Sequence, residues 1–372
     1  MLVLILNYLL YIFIALLCLQ FIYYVGVFGQ FSFTKKQTTI QKKLSVSVII
    51  CAKNEVENIK KYFPLLMDQN HHDYEIVLID DASIDESLEL FEGYEKKYPN
   101  IKLVKVQNNE AFWANKKYAV TLGIKAATKD YLVFTNADCY PNSKEWLNQM
   151  TSQFSTDKTI VLGYGGYAKI KNSPLNLFIR FDSVMTAIHY MSWAKISKPY
   201  MGIGRNLAYK KSIFFDNRGF MDHMNVRSGE DLLFINQAAT KANTAIMYES
   251  NSFTYTASQI NFKEWLIKKK TQIKTTKLFK SFDKFQMNVF LFTQIMFFML
   301  AAILLSFEFQ MLIVWSLVIF RYTFCWISIG FGAKKFKEKD IIYFFPILEI
   351  FHMVSQIYIY TTTLFTKPTQ WK

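Results

Sequence analysis

Residues 2–29 contain no charged side chain. This constrains the fold more than any other feature, because about 20 consecutive apolar residues suffice to cross a bilayer as a helix. The segment is longer than a signal-peptide core, starts without a basic region and lacks a small-residue cleavage site. It reads as a retained anchor; a fully buried helix is the other reading. The C-terminal third repeats the pattern. Residues 287–307 are uncharged, 309–332 hold only Arg321, and 341–365 hold only Glu349 and His352. Three further spans are predicted, four in all. Charge inside a span is costly, so Arg321 and Glu349 are expected to face other helices or a polar cavity, as a structural ion pair or as functional groups.

The net charge is +14. In a soluble protein that excess would raise nucleic acid as a partner. Here the lysines flank the apolar segments: Lys35, Lys36, Lys42 and Lys43 after the first, and Lys334, Lys335, Lys337 and Lys339 between the last two. The positive-inside rule puts both clusters in the cytoplasm, together with everything from Lys35 to about Lys284. A multi-pass protein of a bacterial inner membrane is expected, with membrane lipids and no nucleic acid among its partners; protein partners are not legible. Of Cys18, Cys51, Cys139 and Cys325, none forms a CxxC pair, so neither a disulfide framework nor a zinc site is expected.

Between these segments the periodicity is that of an α/β domain. Short β-branched or apolar runs at 46–50, 75–79, 101–106 and 131–135 alternate with helical patterns at 54–67, 84–98 and 116–127. Near-continuous apolar strands separated by helices predict a mainly parallel sheet covered on both faces. In such sheets ligands bind beyond the carboxyl ends of the strands. Those ends read Cys51-Ala52-Lys53-Asn54-Glu55, Asp80-Asp81-Ala82-Ser83-Ile84-Asp85 and Asn136-Ala137-Asp138-Cys139. A rim rich in carboxylates can hold a hard divalent cation that bridges phosphates. The competing reading makes the Asp and Asn residues helix caps. Farther on, Ser228-Gly229-Glu230-Asp231 precedes an apolar run; one carboxylate is a candidate general base, or the pair simply favours a helix N-terminus. The glycines in LGYGGY and MGIGRN are explained equally well by loop geometry.

In this order the motifs resemble the family 2 glycosyltransferases, which have a GT-A (Rossmann-like) fold. The resemblance covers roughly residues 45–275 and rests on VSVIICAKNE, IVLIDDASIDES, NKKYAVTLGIKAA, FTNADCYP, GIGRNLAYKK and SGEDLLF. The flanking helices look like those of the branch that builds surface polysaccharides and glycolipids. The implied organisation is an anchor helix over 1–30, a GT-A domain over 45–258, a basic amphipathic interfacial helix over 259–284 and three membrane helices over 285–366. The implied reaction is an inverting transfer of a hexosyl or N-acetylhexosaminyl group. The implied donor is a nucleotide sugar, a UDP-sugar by the uracil-recognising Asp81, and the acceptor is lipid-linked or a polysaccharide. Ala52, Asn54, Glu55, Lys116, Asn136 and Arg205 join Asp81 around the nucleotide sugar. Asp138 ligates Mg²⁺ or Mn²⁺, and Asp231, beside Glu230, deprotonates the acceptor.

Two departures matter. The family's DxD reads Asn136-Ala137-Asp138, which removes one negative charge from the metal site. The family's Gln-x-x-Arg-Trp stretch is out of register around Trp265 and Gln272, which makes single-sugar transfer the expectation over processive synthesis. Polyprenyl phosphate as acceptor, and a catalytically degenerate partner subunit, stand as alternatives. Trp113, Tyr164, His189 and Arg205 are candidates for donor selectivity, and His223 is either a cleft residue or a loop histidine.

Overall fold

The computed structural model describes residues 1–35, 37, 39–107, 116–196, 198–226 and 228–365, so Lys36 and Trp113 lie outside the described residues. The central sheet has seven strands in the order β3-β2-β1-β4-β8-β6-β9. These are β1 (Val46–Ala52), β2 (Tyr74–Asp80), β3 (Ile101–Lys105), β4 (Tyr131–Asn136), β6 (Ile160–Leu162), β8 (Leu207–Lys210) and β9 (Thr244–Ile246). The first four pair in parallel, as does β6 with β9, while β8 runs antiparallel to both neighbours. A second sheet of β5 (Cys139–Pro141), β7 (Gly165–Tyr167) and β10 (Thr254–Thr256) stands beside it.

The sheet is buried on both faces, which is why its strands are apolar without alternation. Ile49, Val77 and Ile79 pack toward α4 (Lys116–Ala126) through Val120 and Ile124. Val48, Ile50, Ile76 and Leu78 pack toward α2 (Val56–Met67) and α3 (Ser87–Lys97) through Ile59, Phe63 and Phe91. Register aligns the strand ends that carry polar residues: Ala52 lies opposite Asp80, and Cys51 opposite Asn136.

The expected strands are all present, but α2 and α3 start two and three residues later than the pattern predicts. The physical cause is one staple. The Ser83 hydroxyl accepts from the Asn54 N–H at 3.0 Å, Asn54 Oδ1 accepts from the Ile84 N–H at 2.8 Å, and Asp85 accepts from the Val56 N–H at 3.3 Å. Asn54 and Ala82 sit at φ of 56° and 54°, so the chain turns at both points before either helix begins.

Among the described residues three helices are long and apolar enough to cross a membrane: α1 (Leu2–Ser32, π-helical over Ile22–Val27), α8 (Ser281–Ser306) and α9 (Met311–Lys335). The fourth expected span is a correction. Residues 345–365 do form a helix, α10 (Phe345–Phe365), but Glu349, His352, Ser355 and Gln356 dilute its apolar character below that of a span. Its polar groups are used against protein. Glu349 accepts from Arg321 of α9 at 2.8 and 2.6 Å and from the Tyr24 hydroxyl at 2.8 Å, and Gln20 accepts from Arg321 Nε at 2.5 Å. Arg321 and Glu349 thus face each other inside the helix bundle.

Two more helices join these parts. The long α5 (Pro174–Ile196) is buried along most of its length and packs against the end of α1. The basic α7 (Phe262–Thr276) packs against α10 and against α6 (Glu230–Ala238). Its N-terminus is capped by Asn261, whose side chain accepts from the Glu264 N–H at 2.9 Å.

Candidate active site

The strand-end residues converge on one rim. Ala52 ends β1, and its carbonyl accepts from the Asp81 N–H at 2.9 Å, which pins the second strand's loop beside the first. Asp81 is buried; that burial, reinforced by Asp80, raises its carboxyl above the usual range against the pull of Lys53. Glu55 is also raised by burial, although it accepts from the Asn58 amide at 2.6 Å. Ala52, Asn54, Glu55 and Asp81 therefore lie together on that rim, outside the lining of the neighbouring cleft. A cleft of about 1000 Å³ has Lys116, Asn136, Arg205, Glu230 and Asp231 in its lining, roofed by α7.

At the start of α6, Glu230 and Asp231 have separate environments. Glu230 pairs with Lys116 at 2.6 Å, and Lys116 also reaches toward Asn136 Oδ1 at 3.4 Å. Burial opposes both charges of the pair, yet their mutual attraction wins: the Lys116 ammonium is held above its usual range and the Glu230 carboxyl below its own. Among the described residues Asp231 has no ion-pair partner of its own. Its carboxylate accepts from the Gly204 N–H at 2.5 Å and from its neighbour Leu232 at 2.8 Å. Burial, then the adjacent Glu230, raise its carboxyl above the usual range. The two carboxylates are thus driven apart in proton affinity, the arrangement expected of a base beside a structural acid.

Glycine is required at two places here. A Cβ on Gly204 would stand 3.1 Å from Asp231 Oδ2, crowding the carboxylate that the same residue's N–H holds. Gly229 has φ of 79°, and a Cβ there would lie 2.2 Å from Thr275 Cγ2 of α7. Replacing Gly229 by alanine is expected to cost roughly 1–3 kcal/mol of backbone strain. It should also push α7 off the cleft. Thermal unfolding and limited proteolysis near residue 275 check this; an unchanged melting curve with unchanged cleavage would refute it.

Asp138 lies on the same rim, between the end of β4 and β5. Burial alone would raise its carboxyl, but Lys268, the Cys139 thiol, the Thr256 hydroxyl and Arg205 outweigh it and hold it below the usual range. Oδ1 accepts from Cys139 Sγ at 3.1 Å and Oδ2 from Thr256 Oγ1 at 2.9 Å. Among the described residues no group of three His, Cys, Asp or Glu side chains forms a metal site. One ionised carboxylate and one amide suit a cation that takes its remaining oxygens from a diphosphate and water, as Mg²⁺ commonly does. Arg205 sits over Tyr167, 4.6 Å from the ring centre, and donates to the Gly166 carbonyl at 3.3 Å; among the described residues it forms no ion pair with a carboxylate.

Several contributors escaped the sequence reading. Lys268 and Lys269 of α7 point into the cleft, Lys268 toward Tyr167 and Lys269 in an ion pair with buried Asp182 at 2.6 Å. The signal for Asp182 was present: Arg180 and Asp182 are charges inside an otherwise apolar helix. Lys117 donates to the His223 and Val226 carbonyls at 2.7 and 2.8 Å, and burial pushes its ammonium down to about 8. His223 belongs to that loop and does not line the cleft. Tyr164 is stacked on Phe336 at 4.2 Å in the core. His189, held by the Tyr200 hydroxyl, lines a second cavity.

A mostly parallel sheet with acidic strand ends and an acidic helix start facing one cleft is a GT-A-like arrangement. Residues 47–221, just under half of the chain, match the family described as glycosyl transferase family 2. The chain is 26% identical over 203 residues to a poly(ribitol-phosphate) beta-glucosyltransferase of Bacillus spizizenii, covering 54% of this chain and 30% of the relative. It is 28% identical over 183 residues to a 4,4'-diaponeurosporenoate glycosyltransferase of Staphylococcus haemolyticus, covering 48% and 45%. The chain thus spans less than half the length of these relatives. A mannosyltransferase from Pyrobaculum calidifontis, solved in complex with GDP-Man and Mn²⁺, shares the fold with a TM-score of 0.55 at 14% identity, over 87% of this chain and 98% of that one.

Proposed function

We propose that this glycosyltransferase moves a single hexosyl or N-acetylhexosaminyl group from a UDP-sugar to a lipid-linked or polysaccharide acceptor, with inversion, at the cytoplasmic face of a membrane. The observation that carries the reading is the state of Asp231: partly buried, fixed by two backbone N–H groups, without an ion-pair partner of its own among the described residues, and beside a carboxylate that Lys116 holds ionised. In the proposed step the acceptor hydroxyl oxygen bonds to the anomeric carbon as the bond from that carbon to the diphosphate breaks. The hydroxyl proton passes to Asp231, and the nucleoside diphosphate leaves with the bonding pair. No general acid is needed, because the diphosphate is a good leaving group. Ala52, Asn54, Glu55 and Asp81 would hold the nucleoside, and Arg205 and Lys268 would face the diphosphate. Asp138, with Asn136, would hold Mg²⁺ or Mn²⁺, which neutralises the charge developing on the leaving group.

The topology proposal follows the lysines. Lys335 donates to the Thr34 carbonyl, and Glu338 and Asp340 pair with Arg180 of α5, so the loop after α9 lies against the globular domain. Both lysine clusters then share one membrane face with the cleft, while the turn between α8 and α9 occupies the other.

Calorimetric titration with UDP tests the donor site. Wild type should bind in the presence of Mn²⁺ and lose binding with chelator, and Asp138→Ala should lose at least about tenfold in affinity, the scale on which metal sites respond to lost ligands. Binding indifferent to metal would remove Asp138 from the role proposed for it. Folded protein that binds no UDP at all would overturn the donor assignment and favour a degenerate subunit.

A further inference from the structure

A second cavity of about 860 Å³ lies on the membrane side of the cleft, between α5, α7, α8 and α10. Its walls are mostly apolar: Met185 and Met201, Met287, Phe290 and Leu291 of α8, and Tyr360 of α10. It is not separate from the active site. Thr186, Lys269 and Gln272 line both spaces, so the two meet at a throat under α7. The Lys269 ammonium and His352 Nε2 stand there at 2.6 and 3.2 Å from Asp182, the buried carboxylate between them. From that throat the cavity runs toward Gln294, three turns into α8, one of the helices apolar enough to span a membrane.

A soluble acceptor has no use for this route. A polysaccharide would meet Met, Phe and Leu side chains where it needs hydrogen-bond partners, whereas a hydrocarbon chain leaving the bilayer beside α8 would exchange lipid for an apolar wall at little cost. The charged groups Lys269 and Asp182 stand at the throat, where a headgroup would stop, with Asp231 beyond it in the cleft, while His189, Gln294 and Gln356 add polar groups deeper in the cavity.

We infer that this cavity is the acceptor entrance, and that the acceptor is an amphiphile whose apolar chain lies between α5, α8 and α10 while its polar headgroup passes Lys269 to reach Asp231. The inference rests on the transferase reading above and narrows its acceptor to the lipid class. It also gives Lys269 and Asp182 a positioning role: they set the width and charge of the throat and touch no reacting atom.

The test uses the full chain in lipid nanodiscs and two photoreactive probes, hexadecanol and hexadecyl phosphate, each with a mid-chain diazirine. After irradiation, peptide mapping should find label on the segments around Met185 and 287–291, and Leu291→Trp, which fills the cavity, should lose it. The alcohol and phosphate arms report which headgroup the throat prefers. UDP binding, measured in parallel, is the folding control, and Met287→Trp replaces Leu291→Trp if that variant loses it. Label confined to the outward faces of α1 and α9, unchanged by either variant, overturns the inference. Cavity labelling without UDP binding would overturn only the donor assignment, and UDP binding with an unlabelled cavity only the lipid route.

Discussion

Asp231→Asn is expected to lower sugar transfer by about 10²–10⁴-fold, the usual contribution of a positioned general base, while leaving UDP binding intact. Asparagine keeps the shape, but its one carbonyl oxygen can accept from only one of the Gly204 and Leu232 N–H groups, which bond to different oxygens of the carboxylate, so a small local adjustment is expected while the cleft keeps its form. What is lost is the proton acceptor. The same carboxylate sets the pH profile. Because burial and Glu230 raise its proton affinity, the acid limb of kcat/KM should lie above the range of an ordinary aspartate. Stability should move the other way. A carboxyl raised in the folded state favours folding at low pH and loses that contribution as pH rises through the raised value, so at neutral pH the ionised Asp231 is a cost. The variant should therefore melt no lower than wild type while turning over far more slowly. Equal activity in the two proteins would remove Asp231 from the mechanism.

Arg180→Met should do the opposite, damaging stability more than chemistry. Arg180 is buried on α5 and donates through Nε and Nη2 to Glu338 and through Nη1 and Nη2 to Asp340, the latter at 2.9 and 2.5 Å; Lys169 reaches Asp340 at 2.7 Å. Burial raises the Glu338 carboxyl, and Arg180 pulls it back toward ionisation. Methionine fills the volume but leaves buried Glu338 without its cation and Asp340 with Lys169 alone. Breaking a buried pair from one side costs about 3–5 kcal/mol. An apparent Tm lowered by on the order of 10 °C follows for a domain of this size. Proteolysis between α9 and α10 should rise in parallel, and Arg180→Lys should recover part of the loss. An unchanged Tm would show that water satisfies Glu338 and Asp340 without the guanidinium.

Much of the GT-A half was legible because its strands are buried on both faces, which writes them as uninterrupted apolar runs. The ends of those runs announced Asp81, Asn136 and Asp138 on one rim. The helix starts were less legible, since Ser83 and Ser87 bond to the neighbouring loop at Asn54 and Glu55, and Asp85 is shared between Val56 and the Ser87 N–H of its own helix. The antiparallel β8 and the small second sheet have strands of only three or four residues, too short for periodicity to reveal. Counting charges alone made α10 resemble a span; its glutamine, serine and histidine carried the contrary information, and those side chains turn toward protein. Lys268 and Lys269 looked like part of a lysine-rich outer face, and only the placement of Trp265 in the core turns them into the cleft.

The polar knot among the membrane helices has a consequence for how the protein is made. Gln20 is satisfied by Arg321, 301 residues later in the chain, and Tyr24 by Glu349, 325 residues later. At about 5–20 residues per second of synthesis, the first helix waits roughly 15–60 s for its partners, while the whole catalytic domain is translated and folds. During that interval its amide has only lipid or the insertion machinery to face. Biogenesis thus closes last the contact whose first half was made earliest, and a nascent chain halted before Arg321 holds a first helix that lacks the partner meant for it.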